Sequence, residues 1–143
     1  MKKWLTNENQ LLIAWIAALI ATTGSLFFSE VLKYTPCELC WYQRIFMYPI
    51  TLILGAAIIR KDYRASIYSL ILSVVGICFS IYHYAIQMVP AFQEKGASCS
   101  FVPCNSTYIQ WLGFITIPML ALIAFAIIII MTFSVWRNER SSK

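Results

Sequence analysis

The chain has 143 residues, of which 60% are hydrophobic and only 12% are charged, and its formal net charge is +5. The charged fraction is about half that of an ordinary soluble domain, and the apolar content excludes a disordered polymer, so a membrane protein is indicated. In a soluble protein this net charge would suggest a nucleic-acid partner, but none is assigned because membrane topology and anionic lipid explain it.

Four apolar segments are long enough to cross a bilayer, and the shortest would cover about 27 Å as a helix, against a hydrocarbon core of about 30 Å. Short connections join them, which favours antiparallel neighbours. The sequence therefore predicts one all-α membrane domain over residues 1–143, a four-transmembrane-helix antiparallel bundle. Its spans are residues 11–28, 41–59, 66–88 and 111–133, and its longer loops are residues 29–40 and 89–110.

The basic residues divide the connecting segments into two groups. Eight of the eleven lie in the N-terminal leader, the turn between the second and third spans, and the C-terminal tail. They are Lys2, Lys3, Arg60, Lys61, Arg64, Arg137, Arg140 and Lys143. By the positive-inside rule these segments, and with them both termini, face the cytoplasm, so the two longer loops lie on the outer face of the membrane.

The second span opens on the stretch TPCELCWYQR. Thr35 followed three residues later by Glu38 is the pattern of a capping box at a helix N-terminus. Cys37 and Cys40 would then lie in the first turns of the helix, where the helix dipole favours a thiolate, and Arg44 would add a positive charge one turn beyond Cys40. Both thiols are therefore expected to be activated.

Two further cysteines, Cys99 and Cys104, lie in the second outer loop, and three interpretations of the four outer cysteines are open. They are a pair of structural disulfides, a zinc site built from CxxC and Cx4C, and a redox relay. Neither loop contains a histidine and the outer face is oxidising, so no metal is predicted. The relay is favoured because a structural disulfide has no need of the charges near Cys37 and Cys40.

Arg44 and His83 fall at similar depth, because the second span runs inward and the third runs outward. An arginine within a span usually marks a functional site, although its shallow position would also let Arg44 reach the membrane interface. His83 is the only histidine, and a neighbouring Ser or Tyr could equally satisfy it. We expect the two side chains to line one pocket.

Two other residues within the spans are expected to be structural. Cys78 lies between Gly76 and Ser80, and we expect it to be a buried, inert packing residue. Pro118 is expected to kink the fourth span.

Three stretches in combination resemble the disulfide bond formation protein B family, especially its short BdbC-type branch. They are CELCWYQR, HYAIQMVP at the end of the third span, and CSFVPC followed by WLGFITIP. The resemblance extends over all four spans. It implies a thiol:quinone oxidoreductase of the bacterial cytoplasmic membrane that reoxidises an extracytoplasmic thioredoxin-fold thiol oxidase, DsbA/BdbD-like, and passes the electrons to menaquinone or ubiquinone.

The resemblance also implies which cysteines form the redox disulfides. Cys37–Cys40 would be the pair linked to quinone, and Cys99–Cys104 the pair linked to the partner protein. One departure from the family pattern is that only four residues separate Cys99 from Cys104, whereas longer relatives place an amphipathic segment there. A resting disulfide between the loops, Cys37 with Cys104, is therefore left open.

The implied mechanism is a sequence of thiol–disulfide exchanges. The partner's thiolate would attack at Cys99, and the electrons would then move to Cys40 and on to the quinone. Arg44 would contact the quinone and stabilise negative charge on its oxygen, with His83 nearby. The alternative function is a disulfide-stapled four-helix membrane scaffold or binding protein without turnover.

Overall fold

The computed structural model describes residues 6–91 and 116–142, and within these ranges the chain forms four long α-helices. They are α1 (Asn7–Glu30), α2 (Glu38–Arg60), α3 (Ser66–Met88) and α4 (Ile117–Ser141). Each is long and apolar enough to cross a membrane. The predicted fold class, an all-α membrane protein built as a four-helix antiparallel bundle, is confirmed.

The helices pack in a ring in which α1 contacts α2 and α4, and α3 contacts the same two helices from the other side. The connection between α2 and α3 is tight: Lys61 ends α2 in the left-handed region with φ 53°, and a 3-10 turn at Tyr63–Ala65 leads directly into α3. This geometry fixes α2 and α3 as antiparallel neighbours. Cys37 and His83 consequently lie at the same end of the bundle.

The interface between α3 and α4 is built from small residues on α3. A stripe of serines faces inward around Gly76, and the hydroxyl groups of Ser73 and Ser80 donate to the carbonyl oxygens one turn earlier, at 2.7 and 3.0 Å. The absence of a side chain at Gly76 lets the ring of Phe125 on α4 pack against the α3 backbone, because an added β-carbon would overlap that ring. Small residues thereby allow the close helix approach that packing in a membrane requires.

The beginnings of two helices differ from the prediction. Helix α2 begins at Glu38 with Cys37 as its N-cap, and no side-chain capping bond forms there, so the predicted capping box from Thr35 to Glu38 is wrong. Helix α4 begins at Ile117 because Thr116 is extended, and it continues to Ser141 rather than ending near residue 133. Residues 111–115 of the predicted span lie outside the described residues.

The expected kink at Pro118 is also wrong. Pro118 occupies the first turn of α4, where a missing backbone N–H leaves no helical hydrogen bond unmade. Pro49 lies in the interior of α2, and its missing N–H deprives the Ile45 carbonyl oxygen of its helical partner.

Cys78 is exposed on α3, not buried as predicted. The small residues beside it in the sequence do face inward, but a step of two residues along a helix turns a side chain to the opposite face. In a membrane bundle this thiol faces lipid.

Candidate functional site

Cys37 and Cys40 lie together at the beginning of α2. Cys37 has the extended backbone of an N-cap, and its carbonyl accepts the N–H of Trp41 at 3.2 Å. The two sulfur atoms are 3.0 Å apart, so a bond between them requires an approach of only about 1 Å. The CxxC spacing across a helix start thus brings the thiols together, and the Cys37–Cys40 disulfide stays a prediction that this geometry permits.

His83 on α3 contacts Cys37. Its side chain is only 1% exposed, and Nε2 lies 3.6 Å from the Cys37 sulfur while Nδ1 lies 3.3 Å from the amide nitrogen of Gln43. Because the Gln43 amide donates to Nδ1, the ring proton is on Nε2 and points toward the sulfur. The Nε2–H group of the imidazole therefore faces the Cys37 sulfur. The contacts of His83 with Cys37 and Gln43 join α3 to α2.

The surroundings of Cys37 hold its thiol in the protonated form. The hydrogen bond with Cys40 and burial raise the pKa of Cys37 to about 12, and the contact with His83 only partly offsets them. The expectation that both thiols are activated is therefore wrong for Cys37. The sequence pattern showed the helix N-terminus, but it did not show the burial of this thiol or the nearby Cys40 sulfur, which accepts its proton in a hydrogen bond.

Arg44 is anchored to α1 through Ser25. Its Nε donates to the Ser25 hydroxyl oxygen at 2.8 Å and its Nη2 donates to the Ser25 carbonyl oxygen at 3.0 Å. The guanidinium carbon also lies 5.7 Å from the centre of the Trp41 ring. Two of the five N–H groups of Arg44 thus fix its plane. The other three have no hydrogen-bond partner in the part of the chain that the structure describes, and they can donate to a ligand.

A cavity of about 600 Å³ lies between α1, α2 and α4. Its walls are mostly aliphatic and aromatic, and its volume is in the range of small-molecule sites. The polar lining side chains that bear on function are Ser25, Cys40, Gln43, Arg44 and Tyr48. Cys40 and Arg44 of the CxxC helix therefore line one apolar cavity.

The cavity separates the predicted site residues into two groups. Cys40 and Arg44 line it, whereas Cys37 and His83 are not among its described lining residues. The expectation that Arg44 and His83 line one pocket is not met, because the Cys37 sulfur and Gln43 are the partners that His83 contacts. Whether either residue serves a quinone stays a prediction.

The donor set of the cavity fits a quinone. Long apolar walls suit its ring and tail, and the guanidinium of Arg44 suits a carbonyl oxygen. The hydroxyl oxygen of Tyr48 is buried and has no hydrogen-bond partner among the described residues. Sequence reasoning missed Tyr48, although its position four residues after Arg44 places it on the same face of α2.

A metal ion is a second possibility for the same sulfur atoms. The ligand atoms of Cys37, Cys40 and His83 all lie within 4.8 Å of one another. Two sequence arguments opposed zinc, and the one that relied on the lack of histidine in the loops fails because α3 supplies the imidazole. The other argument, the oxidising outer face, is not affected. Redox chemistry and metal binding would compete for the reduced thiols.

The second cysteine pair, Cys99 and Cys104, lies outside the described residues. The predicted redox disulfide of this pair therefore stays a prediction. The resting disulfide between Cys37 and Cys104 stays open.

Comparisons with known proteins place the chain in a family. The model described as "Disulfide bond formation protein DsbB" matches residues 7–135. A "Probable disulfide formation protein C" of Bacillus cereus is 57% identical over 133 residues, which cover 93% of this chain and 96% of that protein. The "Disulfide bond formation protein C" of Bacillus subtilis is 56% identical over 117 residues, 82% of this chain and 85% of that protein. No solved structure gives a significant match. The family match spans nearly the whole sequence, from the start of α1 through most of α4, and the chain therefore belongs to the DsbB family of disulfide bond formation proteins.

Proposed function

We propose that this protein is a membrane thiol:quinone oxidoreductase that supports disulfide bond formation. It reoxidises an extracytoplasmic thioredoxin-fold thiol oxidase, DsbA/BdbD-like, and passes the electrons to a membrane quinone. The observation that carries the proposal is that Cys40 and Arg44 line one apolar cavity while the paired thiol, Cys37, lies outside its lining. Membership of the DsbB family supports the role in disulfide formation.

The chemistry begins with thiol–disulfide exchange, in which a thiolate attacks one sulfur of a disulfide and the other sulfur leaves. The reduced partner enters at the Cys99–Cys104 disulfide, and that pair, once reduced, attacks the Cys37–Cys40 disulfide. Attack at Cys37 breaks the Cys37–Cys40 bond, forms a mixed disulfide to Cys37 and leaves the electron pair on Cys40, inside the cavity. The second thiolate of the Cys99–Cys104 pair then attacks its bonded neighbour, which restores that disulfide and releases Cys37 as a thiol. Two electrons have then moved from the partner's dithiol to the CxxC pair, and the partner has gained a disulfide.

His83 assists the return of Cys37 to the oxidised form. Cys37 must lose its proton when the CxxC disulfide re-forms, and its raised pKa opposes that loss. The Nε2–H group of His83 stabilises negative charge on the sulfur and so lowers the pKa relative to burial alone. Gln43 keeps the imidazole in the tautomer that can do this, because its amide donates to Nδ1.

Arg44 supplies fixed donors inside the cavity. Ser25 holds the guanidinium in place before any ligand arrives, so its remaining N–H groups can stabilise a developing negative charge without reorganisation. A quinone bound there would supply the acceptor for two electrons and two protons. The apolar walls exclude water, which strengthens the interaction between Arg44 and an oxygen acceptor.

The orientation that suits this function puts the start of α2 on the outer face of the bacterial cytoplasmic membrane, with both termini in the cytoplasm. The distribution of basic residues supports it, since Arg60, Lys61 and Arg64 lie at the opposite end of α2 and α3 from the CxxC motif.

The test is turnover by the purified protein in lipid nanodiscs, with a reduced thioredoxin-fold thiol oxidase as donor and decylubiquinone or menadione as acceptor. We expect quinone reduction that requires both substrates and is lost in Cys40→Ser, while Cys78→Ser, whose thiol is exposed to lipid, retains it. Absence of quinone reduction by the intact protein would favour the scaffold without turnover.

A further inference from the structure

The start of α2 and the facing part of α3 bring together three groups that ligate metal ions. The structure shows Cys37 and Cys40 as free thiols, and their sulfur atoms and a ring nitrogen of His83 lie within 4.8 Å of one another. Within residues 6–91 and 116–142 this is the one group of three His, Cys, Asp or Glu side chains so placed. Thiolate and imidazole ligands favour zinc over magnesium or calcium, which take oxygen ligands.

The distances are close to those around a tetrahedral zinc ion. Zn–S bonds of about 2.3 Å and a Zn–N bond of about 2.0 Å place two sulfur ligands about 3.8 Å apart, and sulfur and nitrogen about 3.5 Å apart. The Cys37 sulfur already lies 3.6 Å from Nε2 of His83. The Cys40 sulfur lies 3.0 Å from that of Cys37 and has to move away by about 0.8 Å. Cys40 is only half-buried, so its side chain has room for that movement.

Gln43 holds the imidazole of His83 for this role as well. Its amide nitrogen lies 3.3 Å from Nδ1, and both side chains are buried. A metal ion on Nε2 takes the place of the ring proton, which then resides on Nδ1 and needs an acceptor. A half-turn of the Gln43 amide puts its oxygen where its nitrogen was, so the same contact supports the tautomer that binds metal.

An ion can reach the three ligands from the end of the bundle. Thr35 and Glu38, on either side of Cys37 in the chain, are exposed, and Cys40 lines the cavity. The ion can therefore meet the Cys40 thiol first and then Cys37 and His83, which are buried. Burial of two of the three ligands reduces competition from water once the ion is in place.

We propose that the reduced protein binds one zinc-class ion, Zn²⁺ or Cd²⁺, through Cys37, Cys40 and His83, and that the bound ion holds the CxxC pair reduced. Binding forms two metal–sulfur bonds and one metal–nitrogen bond, and it releases both thiol protons to solvent without any transfer of electrons. Three protein ligands leave the fourth position to water.

The site exists only in the reduced protein, because the sulfur atoms of a disulfide carry no thiolate. The oxidising outer face therefore restricts the ion to the part of the cycle in which the pair is reduced, before the electrons leave. Formation of the site is independent of the quinone reaction. The arrest of reoxidation by the ion rests on the proposed function.

The first test is metal uptake by the reduced protein in lipid nanodiscs under argon. Cys99 and Cys104 also offer thiols, so the titration uses the double variant Cys99→Ser, Cys104→Ser beside the unmodified protein. We expect the double variant to bind one Co²⁺ per chain, with sulfur-to-cobalt charge-transfer bands and the intense visible bands of a four-coordinate ion, and Zn²⁺ to displace the cobalt. After oxidation of Cys37 and Cys40 it should bind none.

The role of His83 is tested in the same double variant. His83→Ala should raise the Kd for Zn²⁺ at least about 10-fold, since even partners that only orient a ligand cost 10- to 100-fold when lost. Cys78→Ser is the matched control and should leave the Kd unchanged, because that thiol faces lipid. X-ray absorption of the zinc-loaded double variant gives a readout that needs no change at His83, and it should show two sulfur ligands and one imidazole.

The second test is reoxidation of the pre-reduced double variant by decylubiquinone, with no partner protein present. At free Zn²⁺ of about 100 times its Kd, only about 1% of the dithiol is free of metal, so the Cys37–Cys40 disulfide should re-form about 100-fold more slowly. Removal of the ion with EDTA should restore the rate.

The outcomes separate the site from the proposed function. Failure of the reduced double variant to bind an ion, a ligand set without imidazole, or an unchanged Kd in His83→Ala would each overturn the site. Reoxidation at an unchanged rate with the ion bound would overturn the arrest. If quinone fails to reoxidise the pair even without Zn²⁺, the proposed function and the arrest fail together, and the uptake measurements still decide the site.

Discussion

Replacing Arg44 by Lys should weaken the use of quinone and leave exchange with the protein partner intact. Two N–H groups of Arg44 donate to the hydroxyl and carbonyl oxygens of Ser25, at 2.8 and 3.0 Å. Its other N–H groups can donate to a ligand in the cavity. A lysine ammonium is compact and lacks the planar fork, so it cannot keep both Ser25 contacts and serve a ligand. Loss of one hydrogen bond to a charged group is worth about 1.5–3 kcal/mol, which corresponds to a roughly 10- to 100-fold rise in the quinone KM.

The assay is steady-state kinetics in which quinone and reduced partner are varied separately. Ser25→Ala provides an intermediate case, because it removes the 2.8 Å bond but keeps the carbonyl acceptor and the charge. Arg60→Lys, at the opposite end of α2, is the control and should behave as the unmodified protein. An Arg44→Lys protein with an unchanged quinone KM would refute the reasoning, and Arg44 would then be a residue that only reaches the membrane interface.

Three other substitutions or measurements follow from the same geometry. Gly24 lines the cavity and faces open space, so a leucine there would fill part of the cavity without disturbing the fold. Gly24→Leu should therefore raise the quinone KM about 5- to 100-fold, and a normal KM would place the quinone elsewhere. In the reduced protein at pH 8, iodoacetamide should modify Cys40 well before Cys37, whose pKa of about 12 keeps it protonated until far higher pH; equal labelling in peptide mass spectra would contradict this. Gly76→Ala should cost about 1–3 kcal/mol by overlapping the Phe125 ring, seen as a lower unfolding temperature, and an unchanged temperature would show that the ring can move aside.

The fold was accessible from the sequence because length and hydropathy decide whether a segment can cross a membrane. The third predicted span and helix α3 have the same bounds, Ser66–Met88. The first residues of α2 and α4 were less predictable. Cys37 and Thr116, which precede them, each adopt an extended backbone that capping patterns do not specify. Pro118 shows the same limit, because a proline kinks a helix only when it lies beyond the first turn.

The candidate site was predictable only along a single helix. The CxxC motif and Arg44 follow from spacing on α2, and Tyr48, four residues after Arg44, could have been placed on the same helix face by the same spacing. The contact of His83 with Cys37, and that of Ser25 with Arg44, depend on how α3 and α1 are rotated and shifted against α2. Such rotations are set by packing of small and apolar residues across helix interfaces, which one sequence does not reveal.

The raised pKa of Cys37 has the same origin. A helix N-terminus alone would lower it, but burial against α3 and the adjacent sulfur of Cys40 act in the opposite direction and dominate. We therefore expect the two thiols to differ in the reduced protein, with the proton held on Cys37, although the two cysteines look equivalent in the motif.

The central claim, that quinone binds in the cavity lined by Cys40 and Arg44, is tested most directly with a photoreactive azidoquinone. The purified protein is irradiated with the probe, digested, and the adducts are located by mass spectrometry. We predict adducts on cavity-lining residues of α1, α2 or α4, Gly24 to Phe28 and Cys40 to Tyr48 among them, and their loss when excess decylubiquinone competes. Competable adducts confined to α3, for example around the lipid-facing Cys78, would contradict the account.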